Sequence, residues 1–571
     1  MATARQPAAA PRAVGRGEAS MRCALLLVAS SAACADVEPG PLLSEEARAR
    51  GLVFDHDAGI GGACFLPEHL AGGAALFDCD GDGDLDAYLL QGSRDHLDEG
   101  PPASAPNRLF LNDGDGRFSE AAAAGGLGDR GYGMAVAVGD VDNDGDLDVY
   151  VANHGPDAFF RNLGRGAFVR ETQSAGLANA GWACAAGFFD YDLDGWLDLY
   201  VANYLDHDPS VSCTDDAGRA EYCGPLTHPP RSDVLFRNRG DGTFEDVSHA
   251  SGITSEPGRS LGVVCDDLDG DGWPDVLVAC DAQANLVWRN RGDGTFDQVA
   301  RASGLAHNGF GKAEAGMGVA LADTDGDGRD EVLMTHLASE TNTYYRPAGA
   351  GSFYDRTAGS GLGAASLAHT GFGLAFCDLD LDGHRDLVVA NGRVRRGPLD
   401  PRATGVLAAY GEPNSLFLGR GDGTFAPAGE RAPAAWREPF VSRALAVGDV
   451  DGDGAADLLL ANCDGPAQLF LGRPPANAHW LAVRAFDPRW NRDAYGARVT
   501  IEAGGRRRSA TVQAGGGFAA AHEPSVRFGL GTARTVESIE VRWPGGAVER
   551  YPGGPADRSL SLLRGAGRRR P

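Results

Sequence analysis

Short apolar runs recur along most of the chain, and each is cut off by a polar turn before it could complete a helix of ordinary length. Met134–Val138 and Gly262–Val264 stand before such turns, while Leu147–Val151 and Leu387–Val389 stand after them. These runs are continuous enough to be strands buried on both faces. A further run follows in each unit, as in Arg108–Leu111, Asp233–Phe236, Asn285–Trp288 and Ser415–Leu418. Then come a glycine turn and an aromatic: GDGRF ending at Phe118, GDGTF ending at Phe244, Phe296 and Phe425, and GAGSF ending at Phe353. Each unit therefore reads strand, polar loop, strand, strand, glycine turn, strand.

The polar loop is a nonapeptide, D-x-D-x-D-G-x-x-[DE], that occurs seven times with starts 62, 50, 77, 56, 55 and 71 residues apart. Its acids are Asp78, Asp80, Asp82 and Asp86; Asp140, Asp142, Asp144 and Asp148; and Asp190, Asp192, Asp194 and Asp198. They continue as Asp267, Asp269, Asp271 and Asp275; Asp323, Asp325, Asp327 and Glu331; Asp378, Asp380, Asp382 and Asp386; and Asp449, Asp451, Asp453 and Asp457. Alternating carboxylates on a tight loop suit a hard cation, since Ca2+ takes about six to eight oxygen ligands in flexible geometry. Glycine at position 6 permits the sharp turn, the carbonyl at position 7 is a further candidate ligand, and the acid at position 9 is expected to close the shell. An EF-hand would need glutamate at position 12. Leu89, Val151, Val201, Val278, Met334, Val389 and Leu460 stand there instead, which excludes that reading.

Four strands in about 60 residues, repeated seven times, predict an all-β chain. Its main body is a seven-bladed β-propeller over residues 52–473, with a calcium-binding loop between the first two strands of each blade. The first copy, with its upstream GLVFDHDAG stretch, is expected to share a blade with the far end of the chain and close the ring. These repeats resemble the FG-GAP/VCBS blades of integrin-α-type propellers. Up to seven calcium ions would take the formal net charge from −28 to −14.

Beyond Pro474-Pro475 the acidic loops stop and alternating strands predict a small β domain over 477–555, with 556–571 left as a tail. Its motifs are Asn477, His479-Trp480, Asn491–Arg498 (NRDAYGAR), Arg527–Gly531 (RFGLG) and Val541–Gly546 (VRWPGG). In that order they are similar to the ASPIC/UnbV domain of the cartilage acidic protein family. Animal members carry an added EGF-like module, and nothing that depends on it is expected here.

The balance of 51 basic against 79 acidic residues argues against nucleic acid and anionic membrane surfaces as partners. Residues 1–35 read as a low-complexity leader and a secretory signal starting at Met21, with Ala33-Cys34-Ala35 as its cleavage site and lipidation at Cys34 as the minor alternative. Residues 36–51 read as a linker, and nothing later is long and apolar enough to span a bilayer. An exported chain permits oxidation, and Cys213 with Cys223 is the expected disulfide across an irregular insertion. Three RGD tripeptides, at 239–241, 291–293 and 420–422, fall inside the blade turn, where geometry alone requires Gly and Asp. Arg506–Arg508 reads as an exposed hairpin tip.

No catalytic constellation stands out among the known motifs. His154, His207, His228 and His336 follow strands on loops that could share one propeller face, and the Asn203–Arg231 insertion and the Asn391–Asn414 loop are the places to look for a ligand site. The expected function is an exported calcium-binding propeller that binds or adheres to a glycan or protein. A calcium-dependent enzyme acting on a polysaccharide or secondary metabolite is the alternative.

Overall fold

The computed structural model describes residues 40–92, 105–121, 125–349, 351–513 and 515–569. The proposed signal, its start at Met21 and the lipidation site at Cys34 lie outside the described residues.

Seven four-stranded antiparallel units form in succession, and the innermost strands of neighbouring units touch all the way round, so the units close into a propeller. The second blade is representative: Tyr132–Gly139 is innermost, followed by Asp148–His154, Ala158–Asn162 and Phe168–Arg170. Its first two strands are buried on both faces, which is why their sequence is a continuous apolar run and not an alternating one. Position 12 of every loop enters this second strand, and all seven residues there are fully buried.

The ring closes in the seventh blade. Its first three strands, Ser442–Gly448, Asp457–Asn462 and Gln468–Gly472, come from the end of the repeats, and the outermost, Leu43–Glu45, comes from the beginning. Residues 43–45 are therefore a blade strand and not part of a linker: Leu43 is buried in the apolar cluster of the last two blades. Closing a ring with strands from both chain ends leaves no free seam between first and last blades.

The C-terminal domain holds two sheets around Val499, Ile501, Ile539, Val541 and Trp543, all buried. One sheet pairs His479–Asp487 with Val526–Gly531 and, in parallel, with Arg558–Leu563. The other pairs Arg498–Ala503 with both Arg506–Thr511 and Thr535–Arg542, then adds Val548–Pro555 and Arg568–Arg569. Residues 556–569 are thus part of the domain and not a tail, because Leu562 joins its core and their backbone completes both sheets.

A loop of this domain enters the propeller channel. Ala520–Ala521 pairs in parallel with Ala74 and Ala75 of the first blade's innermost strand. Gly517 exchanges backbone hydrogen bonds with Val319 of the fifth blade, and Phe518 lies edge-on to Phe372 of the sixth, ring centroids 5.0 Å apart. Phe518 is 1% exposed. The innermost strands make room by carrying glycine where they crowd together: a Cβ on Gly318 would lie 2.3 Å from the Phe372 carbonyl, and one on Gly373 2.4 Å from that of Arg443.

Candidate functional site

The seven acidic loops share one construction. The position-6 N–H, from Gly83, Gly145, Gly195, Gly272, Gly328, Gly383 or Gly454, donates to Oδ2 of the position-1 aspartate at 2.9–3.1 Å. Each of these glycines has φ between 87° and 100°, a left-handed conformation that other residues adopt only under strain. Position 4 also has positive φ in every loop, and Asn143, Leu193 and Leu381 accept it without being glycine.

Position 9 does something the sequence did not disclose. One of its oxygens accepts the position-2 N–H in all seven loops, at 2.8–3.1 Å. In six loops the other oxygen accepts an N–H at the end of the third strand, from Asn112, Asn162, Asn238, Asn290, Gly419 or Gly472. The position-9 acid therefore clips the loop to its own blade, and any ion takes lone pairs left over from that role.

The loops suit a cation on two grounds. Carboxylate oxygens of positions 1 and 3, with 5 or 9, approach within 4.8 Å of one another, as in Asp78, Asp80 and Asp86 or in Asp190, Asp192 and Asp194. In six loops a buried carboxylate oxygen has no hydrogen-bond partner: Oδ1 of Asp80, Asp142, Asp190, Asp378, Asp380, Asp449 and Asp451, and Oε1 of Glu331. Unpartnered buried acceptors are costly, by about 1–3 kcal/mol each, unless something else fills them. Burial, and behind it the neighbouring aspartates, pushes Asp140 up to about 7; burial does the same for Asp190 and Asp378, with their loop neighbours adding to it. A divalent ion reverses that tendency by favouring the charged form.

The C-terminal domain covers the end of the propeller that carries these loops. Arg492 reaches Asp190 Oδ2 at 3.4 Å and the Gly195 carbonyl at 3.2 Å. Arg542 reaches Asp267 Oδ2 at 3.0 Å and the Gly270 carbonyl at 3.2 Å. Arg527 reaches Asp449 Oδ2 at 3.0 Å, and Arg498 pairs with Asp330 beside Asp323. In the third and seventh loops the arginine sits on Oδ2 and leaves Oδ1 without a partner, so arginine and cation would use different oxygens of one carboxylate. Trp490 and Trp480 lie directly on Gly195 and Gly454, where a Cβ would come within about 2 Å of the indole. Arg508 packs on Gly383, with its Nε donating to that residue's carbonyl, and Arg506 contacts His384; Arg506 and Arg507 stay exposed beside the Gly504-Gly505 turn, so the 506–508 run is an exposed hairpin tip that leans on the sixth acidic loop through Arg508. Trp480, Arg492, Arg498, Arg527 and Arg542 were visible as motif residues; their role needed the domain's position. The one clue was isolated arginines in a domain joined to an acidic propeller.

The opposite end is formed by loops that follow the second strands. There the two segments singled out by sequence meet. Tyr410 Oη donates to Glu221 Oε1 at 2.5 Å, and the Arg396 N–H to Glu221 Oε2 at 3.1 Å. Tyr222 Oη donates to Glu68 Oε2 at 3.1 Å. Cys213 and Cys223 are disulfide-bonded, with Cα atoms 5.2 Å apart, and staple the insertion. His154, His207 and His228 come together on this side. His336 does not join them: it is buried in the fifth blade beside Glu314. The RGD aspartates Asp241, Asp293 and Asp422 each accept hydrogen bonds from the threonine two residues on, which closes the blade turn.

The architecture defines a class, propellers with acidic loops between the first two strands of each blade. The FG-GAP-like repeat family matches residues 78–151, 140–201, 222–278, 267–334, 323–389 and 406–492, and the ASPIC and UnbV family matches 487–569. The chain belongs to the FG-GAP-like repeat family and carries an ASPIC and UnbV domain after its repeats. It is 27% identical over 366 residues to cartilage acidic protein 1 of Homo sapiens, across 59% of this chain and 50% of that one. It is 26% identical to the Mus musculus protein, across 59% and 52%. The chain spans about half the length of these curated relatives. Among solved structures, an Agrocybe aegerita lectin specific for non-reducing terminal N-acetylglucosamine aligns over 69% of this chain and 86% of its own, at 17% identity and a TM-score of 0.38. No helix among the described residues is long and apolar enough to cross a membrane.

Proposed function

We propose that this chain is an exported binding module whose propeller is held rigid by calcium in its blade loops, and whose ligand, a glycan or a protein, is met by the uncovered face. The observation that carries the reading is the division of labour between the two ends. Arginines of the C-terminal domain already occupy the third, fourth and seventh acidic loops, while the Asn203–Arg231 and Asn391–Asn414 loops stand at the other end on a rigid ring. Loops on a rigid scaffold are where recognition usually resides. In the acidic loops, positions 1, 3 and 5 would supply carboxylate oxygens, with remaining lone pairs of position 9. Bound calcium would supply charge neutralisation and a fixed loop shape. It would act on stability by mass action, because only the folded loop holds it.

One observation favours the enzymatic alternative, the convergence of His154, His207 and His228 on the uncovered face. A single assay separates the readings. Residues 36–571 are incubated with a panel of extracellular polysaccharides, with calcium and with chelator, and both retention and new chain ends are measured. Calcium-dependent retention without cleavage supports the binding module. New chain ends refute it in favour of catalysis, and retention of nothing in the panel excludes a polysaccharide as the ligand.

A further inference from the structure

His154 ends the second strand of the second blade, at the end away from the acidic loop, and His207 and His228 lie on the insertion of the third blade. His154 Nε2 and His207 Nδ1 are 3.2 Å apart. Two imidazole nitrogens bound at about 2.0–2.1 Å to one tetrahedral ion stand about 3.3 Å from each other. The His228 ring follows, its centroid 5.0 Å from that of His207. Rigid aromatic rings frame the pair: Phe65 lies 5.3 Å from His154 and 5.1 Å from His207, and Trp182 lies 5.1 Å and 5.3 Å away. His154 and His207 keep partial exposure, so an ion can enter. Burial, with the nearby His228 behind it, lowers the His207 pKa to about 4, which leaves this imidazole neutral and able to coordinate at physiological pH.

We propose that His154 and His207, with His228 as the nearest third imidazole, form a binding site for a borderline divalent transition ion of the zinc or copper type. Donor chemistry separates this site from the acidic loops. Imidazole nitrogen suits zinc, copper and nickel, while carboxylate and carbonyl oxygen suit calcium and magnesium. The two ends of the propeller would then sort two classes of ion. None of the three histidines belongs to an acidic loop, so the site stands or falls independently of calcium in the blades.

The test titrates Zn2+ into the full chain with calcium in large excess, so that the oxygen sites are occupied, and reads bound zinc against a chromophoric chelator. Co2+ replaces Zn2+ in a parallel titration, where visible absorption reports nitrogen coordination. The parent should bind one equivalent, and His154→Ala and His207→Ala should each weaken binding at least tenfold. His207→Gln keeps a hydrogen-bonding side chain but removes the imidazole donor. It should also lose zinc while melting like the parent. His249→Ala, at an exposed position away from the cluster, should bind as the parent does. No zinc bound by the calcium-loaded parent, or unchanged binding in either alanine variant or in His207→Gln, would overturn the site and leave the pair as a structural hydrogen bond.

Discussion

Phe518→Ala isolates the contribution of the channel plug. The Phe518 side chain is 1% exposed and lies edge-on to Phe372. Truncating a core phenylalanine to alanine costs about 3–5 kcal/mol. The surrounding channel is walled by the innermost strands of the first, fifth and sixth blades and has little freedom to collapse, so the cost should fall near the middle of that range. The loss falls on the contact between loop and channel, because Phe518 packs on the propeller and not on the core of its own domain. Hydrogen exchange reads this locally. The Gly517 and Val319 N–H groups donate to each other's residue, and the Ala74 N–H donates to the Ala519 carbonyl. About 3 kcal/mol less opening free energy should speed exchange at all three amides at least a hundredfold. Amides in the second and third blades should change little. Unchanged protection at the three amides would refute the plug as an energetic contact. An equal loss in every blade would show that Phe518 supports the fold as a whole.

Three further outcomes follow from the geometry. Asp457→Asn removes one acceptor facing the Val450 and Gly472 N–H groups and should cost about 1–3 kcal/mol even in chelator, and more in calcium; Asp451→Asn, which changes an oxygen with no partner, should lower the melting temperature only in calcium. Serine at both Cys213 and Cys223 should cost about 3 kcal/mol of local chain-entropy stabilisation, seen as proteolysis within the insertion at a nearly unchanged melting temperature. Burial lowers the His56 pKa to about 4, below its unfolded value, so its contribution is complete above about pH 6.5 and is lost as pH falls from there toward 4. The parent should therefore lose about 1 kcal/mol more than His56→Gln between pH 7.5 and 5.5 in denaturant melts, and identical pH profiles would contradict this.

Much of the fold was legible because propeller blades are local. The acidic nonapeptide, the buried run after it and the glycine–aromatic turn lie within one contiguous unit, so a single sequence displays the pattern seven times. What could not be read depends on contacts far apart in the chain. Leu43–Glu45 is too short to announce itself as a strand and becomes one only beside Gln468–Gly472. Arg558–Leu563 alternates weakly, and its identity as a strand comes from parallel pairing with residues 481–486. Among candidate site residues, the grouping of the acids of positions 1 and 3 with 5 or 9 was legible from type and spacing alone. The clip formed by position 9 was hidden, because its partners are backbone N–H groups, which leave no mark in a sequence. The arginines from Arg492 to Arg542 were separable from ordinary surface charge only once the domain was placed over the loops. The meeting of His154 with His207 likewise required the third blade to stand beside the second.

The central claim is that calcium occupies the blade loops and stabilises the ring. It is tested most directly by counting calcium bound at equilibrium to the purified chain, with thermal melts of the same sample in calcium and after chelation. The account predicts about seven ions per chain, one for each acidic loop, and a melting temperature that falls when they are removed. One ion or none, with the same melting temperature in calcium and in chelator, would contradict it.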